Sequence, residues 1–201
     1  VSMLRVIADP DAGAALMRHL VGPRINLGAK DLAALGAYSR NRAKGSRAES
    51  KSLIKKIAAG NPEQAEADDQ FLGSLIDTLD EIGGADKSTF TEVGYIRLVN
   101  FASDLRRLRS RSGGTITDLI NEIESYLNLE TEVMLRDGTG SGRRHIDRFL
   151  DEAGKFARSG GTLNSFLQWL DIAGKEEGGL KSAAPEVRSD VVQILTVHMS
   201  K

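Results

Sequence analysis

Residues Val191–Lys201 read VVQILTVHMSK and combine two patterns. A nearly continuous apolar run, rich in β-branched residues, is typical of a strand buried on both faces. Polar side chains then alternate where the strand would end, at Thr196, His198 and Ser200. Polar groups at the exit of a buried parallel strand often form a ligand site. The stretch therefore predicts one strand, which either pairs with a sheet elsewhere or belongs to a longer protein; we favour the longer protein.

Composition restricts the class of protein. The chain has 201 residues, with 40% hydrophobic and 27% charged residues, which is ordinary for a globular protein with a real core. It has no cysteine, which excludes disulfides, thiol catalysis and Cys-ligated metals and fits a cytoplasmic setting. No apolar run approaches the roughly 20 residues that span a bilayer, so we expect no membrane partner.

Upstream of the terminal stretch, apolar residues recur every three or four positions, which predicts a series of amphipathic helices. The predicted helices cover residues 3–8, 14–20, 29–39, 53–60, 62–82, 95–109, 116–127, 145–158 and 163–170. Residues 40–50 and 137–142 are predicted loops, and residues 176–186 an exposed connection. The pattern indicates an all-α, irregular multi-helix bundle.

Charge is unevenly distributed, although the net charge is only −1. Residues 40–56 hold seven basic residues and one acid, and residues 63–81 hold seven acids and no base. Two more basic groups lie in Arg106–Arg111 and in Arg143–Arg148. Basic patches can follow a phosphate backbone, but they can equally pair with acids across the fold or solvate a face.

Several catalytic motifs are absent from the sequence. Lys87–Thr89 lacks the preceding glycine of a phosphate-binding loop, because Asp86 stands there. Residues 137–142 are Gly-rich but lack a preceding strand and the dinucleotide pattern. The histidines have no acid at metal-ligand spacing, and no Gly-x-Ser-x-Gly elbow occurs. We therefore predict no catalytic residue and no metal or cofactor site in this chain.

Residues Pro23–Gly28 form a Gly-containing turn between two predicted helices. The first backbone N–H groups of a helix have no partner inside it, so the start of the second helix suits a phosphate. An ordinary helix–helix connection explains the same spacing, and both interpretations stay open.

The terminal stretch resembles a motif of UvrD/Rep/PcrA-type superfamily 1 DNA helicases, an apolar run followed by Thr-x-His-x-Ser/Ala-Lys-Gly. Residues Val192–Lys201 match it up to the glycine. Three upstream segments are similar to family segments in the same order. They are Met3–Pro10 (the helix leading into the accessory 2B domain), Pro23–Gly28 (the Gly-Ile-Gly hairpin that contacts duplex DNA), and Arg144–Leu150 with Leu163–Leu167 (the late helices before the return to the motor). The chain looks most like actinobacterial helicases, including helicase–nucleases.

The resemblance implies a fragment that carries a helicase 2B domain, an all-α multi-helix bundle whose terminal β-strand belongs to a missing α/β motor domain. Residues 1–28 would lead from the motor into 2B, residues 29–185 would form the 2B-like domain, and residues 186–201 would return to the motor. Duplex DNA would bind at Arg24, Asn26, Leu27, Gly28 and Lys30. Thr196 and His198 would belong to the single-stranded DNA motif of the motor strand.

One residue departs from the family hairpin, since Asn26 stands where the first glycine is expected. Asparagine tolerates a left-handed backbone better than most residues, so we expect the turn to survive. Residues 40–135 correspond to no family segment that we can align.

The parent protein would be an ATP-dependent 3′–5′ helicase of DNA repair or recombination that uses ATP and Mg. This chain lacks the ATPase motifs and is predicted to be inactive alone. Its partners would be duplex or forked DNA, the motor domains of the same chain and a protein subunit. The alternative is an all-helical protein–protein interaction module that binds no DNA.

Overall fold

The structure is a computed structural model that describes residues 1–57, 74–137, 143–176 and 180, with side chains described except at 47–57, 137 and 176. These residues form nine α-helices and no strand. The helices are α1 (Ser2–Ala8), α2 (Gly13–Val21), α3 (Ala29–Ile57), α4 (Leu75–Asp80), α5 (Glu92–Ser110), α6 (Ile116–Leu127), α7 (Leu129–Asp137), α8 (Arg143–Arg158) and α9 (Leu163–Glu176). The predicted all-α fold class is confirmed. The predicted terminal strand, with Thr196 and His198, lies outside the described residues.

The chain divides into two compact units, Val1–Ile123 and Glu124–Lys201. The first holds α1 to α5 and most of α6, and the second holds the end of α6 with α7, α8 and α9. The division falls at a different place from the predicted boundaries after residues 28 and 185. The Pro23–Gly28 hairpin accordingly lies inside the first unit. None of the described helices is long and apolar enough to cross a bilayer.

The core of the first unit lies where α1, α2, α4 and α5 pack together. Its fully buried side chains are aliphatic and recur at helical spacing: Leu4, Val6, Leu16, Leu20, Ile76, Leu79, Leu98, Leu105 and Leu108. Burying one such side chain contributes about 1.5–3 kcal/mol. One apolar side chain of α5 faces outward, since Ile96 is 52% exposed.

Helix α3 is much longer than predicted. The predicted helix ended at Ser39 and was followed by a loop over residues 40–50, but one helix runs from Ala29 to Ile57. The polar composition and Gly45 suggested a loop. However, Ala, Arg and Lys are strong helix formers, and a single glycine costs only about 1 kcal/mol. The helix therefore continues through the polar segment.

Helix α4 begins at Leu75, inside the helix predicted over residues 62–82. The first part of that prediction, residues 62–73, lies outside the described residues. Ser74 has a non-helical backbone, and its Oγ accepts a hydrogen bond from Asp77 N at 3.2 Å, so it caps the helix. Short 3₁₀ helices follow at Ile82–Gly84 and Lys87–Thr89.

The second unit is built around four aromatic side chains on α8 and α9. Their ring centroids lie 5.4–5.8 Å apart in pairs among Phe149, Phe156, Phe166 and Trp169. These distances are favourable for tilted and offset aromatic pairs. The short connection between the helices passes close to the cluster, since a Cβ at Gly161 would overlap the Phe156 ring.

Threonine side chains cap α6 and α9. Thr115 Oγ1 accepts from Asp118 N at 3.1 Å, and Thr162 Oγ1 accepts from Ser165 N at 3.3 Å. Helix α7 was not predicted. It begins directly after Asn128, whose φ of 53° is left-handed and separates it from α6.

Candidate nucleic-acid interface

The Pro23–Gly28 hairpin folds back onto the end of α2. Asn26 N donates to Gly22 O at 2.7 Å, and Leu27 N donates to Leu20 O at 2.9 Å. Asn26 has a φ of 50°, which lies in the left-handed region. Asparagine is among the few residues other than glycine that adopt this conformation routinely. The expected tolerance of Asn26 for the turn is confirmed.

The five residues predicted to bind duplex DNA do not all reach the surface. Arg24, Asn26, Gly28 and Lys30 are exposed. Leu27 is buried, and its N–H group is bonded to α2. The Leu27 side chain therefore anchors the turn to the protein interior, and the other four residues of the set are exposed.

A fifth exposed residue at the hairpin comes from α5. Arg97 Nη1 donates a hydrogen bond to Asn26 O at 2.7 Å. Arginine carries five N–H donors and keeps its charge at all relevant pH values, so this guanidinium adds a cation beside the turn. Sequence reasoning missed Arg97, since it lies 71 positions from Asn26 and helical periodicity marks it only as a solvent-facing residue.

Helices α3 and α5 begin side by side around one buried carboxylate. Asp31, in the first turn of α3, is 4% exposed. It accepts hydrogen bonds from Thr91 N at 2.7 Å and from Thr91 Oγ1 at 2.9 Å. Thr91 Oγ1 in turn accepts from Gly94 N at 3.0 Å and caps α5. A Cβ at Gly94 would overlap the Asp31 carboxylate, so glycine permits this approach.

The Asp31 carboxylate changes what the start of α3 can bind. A negative charge is stabilised near a helix N-terminus, and Asp31 supplies one there. This charge weakens the attraction of the start of α3 for an anion of the kind that the sequence suggested. The positive charge of the surface resides instead in the exposed side chains of Arg24, Lys30 and Arg97.

The arginines of the basic segment Arg106–Arg111 are paired with groups inside the first unit. Its arginines bind acids or carbonyls: Arg106 to Asp80 O (3.0 Å), Arg107 to Glu122 (3.1 Å), Arg109 to Asp80 (2.6 Å) and Arg111 to Glu122 (3.2 Å). Of the two interpretations of this segment, pairing across the fold is the one that the structure supports.

The basic group at the start of α8 is also paired. Arg143 bonds to Glu124 and to Asp147, the latter at 2.9 Å. The hydrogen bond with Asp147 raises the pKa of Arg143. Arg148 forms an ion pair with Glu152 at 3.1 Å. The bond to Glu124 connects α8 to the end of α6, whereas the pairs with Asp147 and Glu152 lie within α8.

Within the described ranges, no group of three or more His, Asp or Glu side chains could hold a metal ion. The Lys87–Thr89 segment is a single 3₁₀ turn whose start is occupied by Asp86. Asp86 Oδ1 accepts from Ser88 N at 2.9 Å and Ser88 Oγ at 2.8 Å, and these bonds lower the pKa of Asp86. A carboxylate thus stands where a phosphate-binding loop would place its anion.

The chain matches none of the models of known protein families and none of the curated proteins compared with it.

Proposed function

We propose that this chain is the accessory 2B domain of an ATP-dependent 3′–5′ DNA helicase and that it contacts duplex DNA through the Pro23–Gly28 hairpin. The observation that carries the proposal is the bond from Arg97 to the left-handed Asn26. This bond fixes an exposed turn beside cationic side chains, as expected of a loop that approaches a phosphate backbone.

The chemistry of the hairpin favours binding without sequence preference. Arg24, Lys30 and Arg97 offer charge and N–H donors, which suit phosphate oxygens, and contacts to phosphates position a duplex without reading its bases. Binding of this kind is driven largely by counterion release and weakens as salt rises. In the parent protein the domain would rotate between open and closed states and restrain the motor.

The remaining parts of the proposal concern the parent protein. ATP and Mg would bind to its motor domains, which would carry out strand separation during DNA repair or recombination in the cytoplasm. Thr196 and His198 would serve the single-stranded DNA path of that motor. A protein subunit is a further proposed partner.

The direct test compares forked, duplex and single-stranded DNA of equal length by fluorescence anisotropy at about 50 and 200 mM salt. We expect the wild-type chain to bind fork and duplex more tightly than single strand. The double variant Arg24→Gln/Lys30→Gln should weaken duplex binding about tenfold, because each exposed ion contact contributes about 0.7 kcal/mol. A wild-type chain that binds no DNA at the lower salt contradicts the proposal.

One observation favours the alternative of a protein–protein interaction module. On α7, Met134 and Leu135 are adjacent and exposed, Leu135 to 83%. Contiguous exposed apolar side chains mark interaction sites more often than scattered ones do. The same anisotropy assay separates the two functions, since the module would bind no DNA at either salt concentration.

A further inference from the structure

Helix α3 has two faces of different character. Its 29 residues span about 43 Å. Asp31, Leu35 and Ser39 are buried on one side. The exposed residues of the opposite side follow helical spacing: Lys30, Ala33, Arg40, Asn41 and Lys44. At 3.6 residues per turn these positions fall within an arc of about 100°, centred opposite the buried side.

The exposed face of α3 is cationic and has no acid. Lys30, Arg40 and Lys44 form no ion pair with any residue whose side chain is described. The acids of α3 are Asp31, which is buried, and Glu49, which falls on the other side by helical register. This face differs from the Arg106–Arg111 segment, whose charges are neutralised inside the fold.

We propose that the exposed face of α3 binds the phosphate backbone of duplex DNA and carries the duplex onward from the hairpin. The proposal rests on the proposed DNA contact and extends it from a single turn to a line of cations. Lys30 lies two residues after the hairpin, and Lys44 lies about 21 Å farther along the helix axis. That distance is more than half of the roughly 34 Å of one duplex turn.

The composition of the exposed face of α3 favours a polyanion over a protein as its ligand. Protein interfaces bury a core of large apolar or aromatic side chains, whereas the apolar residues between these cations are Ala33 and the half-buried Ala37. Small side chains leave room for a phosphate backbone to lie close to the helix. The Arg40 guanidinium lies beside Gly36. It ends a flexible side chain and can therefore extend outward.

The experiment measures duplex affinity of the full chain over a range of salt concentrations for three variants. Arg40→Gln/Lys44→Gln removes the far cations of the face. Arg158→Gln/Lys175→Gln is the matched control, since it removes one arginine and one lysine that are exposed in the second unit. Arg24→Gln/Arg97→Gln removes hairpin cations outside α3. Glutamine is a good helix former, and a thermal melt verifies that each variant folds.

The expected result is a selective change in salt dependence. The slope of log K against log salt should become shallower by about 1.8 in Arg40→Gln/Lys44→Gln, at about 0.9 for each lost phosphate contact. The control should keep the wild-type slope. If the control changes the slope equally, the effect is one of total charge and the inference is overturned.

The outcomes also separate this inference from the proposed function. A wild-type slope in Arg40→Gln/Lys44→Gln, with a reduced slope in the hairpin variant, overturns the inference and leaves the proposed function in place. A reduced slope in Arg40→Gln/Lys44→Gln alone supports the α3 surface and overturns the hairpin contact. Absence of duplex binding by the wild-type chain at about 50 mM salt overturns both.

Discussion

Arg97 donates a hydrogen bond from its Nη1 to the backbone carbonyl oxygen of Asn26 at 2.7 Å, and this contact joins α5 to the hairpin. A second contact joins α5 to the helix that follows the hairpin, since Asp31 at the start of α3 accepts hydrogen bonds from Thr91 at the start of α5. Helix α5 therefore supports the hairpin and the helix that follows it. Predictions for the hairpin must separate this support from direct contact with a ligand.

Substitution of Arg97 tests its positioning role. Arg97→Ala removes the bond to Asn26 and should lower the free energy of unfolding by about 0.5–1.5 kcal/mol, with a loss of duplex affinity. Arg97→Lys keeps the charge but loses the planar fork, so the salt dependence should be retained while affinity falls. Urea unfolding and anisotropy measure the two effects. Unchanged stability and affinity in Arg97→Ala contradict this role.

The left-handed turn can be tested at Asn26. Asn26→Gly should retain stability and duplex affinity, because glycine adopts a φ near 50° without steric cost. Asn26→Val should lower the free energy of unfolding by about 1–2 kcal/mol, since a β-branched residue is strained there. Chemical denaturation of both variants provides the measurement. A valine variant as stable as the glycine variant argues against the turn described here.

Two glycines inside helices should respond in opposite directions. Gly94→Ala should destabilise the chain by about 1–3 kcal/mol, because the new methyl group overlaps the buried Asp31 carboxylate. Gly36→Ala should stabilise it by up to about 1 kcal/mol, because alanine favours a helix and meets only the flexible end of Arg40 at 3.4 Å. Equal responses in urea unfolding would rule out the close approach at Gly94.

Stability should depend on pH through His19. Its Nε2 lies 3.0 Å from Ser2 Oγ, and burial lowers the pKa of His19 in the folded chain. The unfolded chain then binds more protons as pH falls through about 6.5, so the free energy of unfolding should decrease below that pH. His19→Gln should flatten this part of the profile, measured by thermal melts between about pH 5 and 8. A variant with the wild-type profile excludes His19 as the cause.

Local signals allowed much of the helical architecture to be predicted. Signals for a helix end depend only on the local backbone or the next turn. Three of them lie at helix ends in the structure: Gly22-Pro23, Thr115 and Thr162. Sequence patterns gave the wrong helix limits at two places. Ser74 caps α4 within an apolar pattern that predicted a continuous helix, and α3 continues through the polar segment after Ser39 that predicted a loop.

The candidate site was less predictable, since its key contacts join residues far apart in sequence. The turn at Pro23–Gly28 was expected from local sequence, and the left-handed Asn26 from the resemblance to the family hairpin. The contacts from Asp31 to Thr91 and from Arg97 to Asn26 depend on how α3 and α5 pack. Nor does a count of basic residues show which arginines are neutralised, because Arg106 and Arg109 meet Asp80 only in the folded chain.

The salt dependence of duplex affinity in Lys30→Gln tests the central claim most directly, with Lys175→Gln as the control. Both lysines are exposed, but only Lys30 lies at the junction of the hairpin and α3. A phosphate contact at Lys30 predicts a steep negative slope for the wild-type chain, a slope shallower by about 0.9 for Lys30→Gln, and the wild-type slope for Lys175→Gln. Identical slopes in all three proteins, or no duplex binding at about 50 mM salt, would contradict the proposed DNA contact.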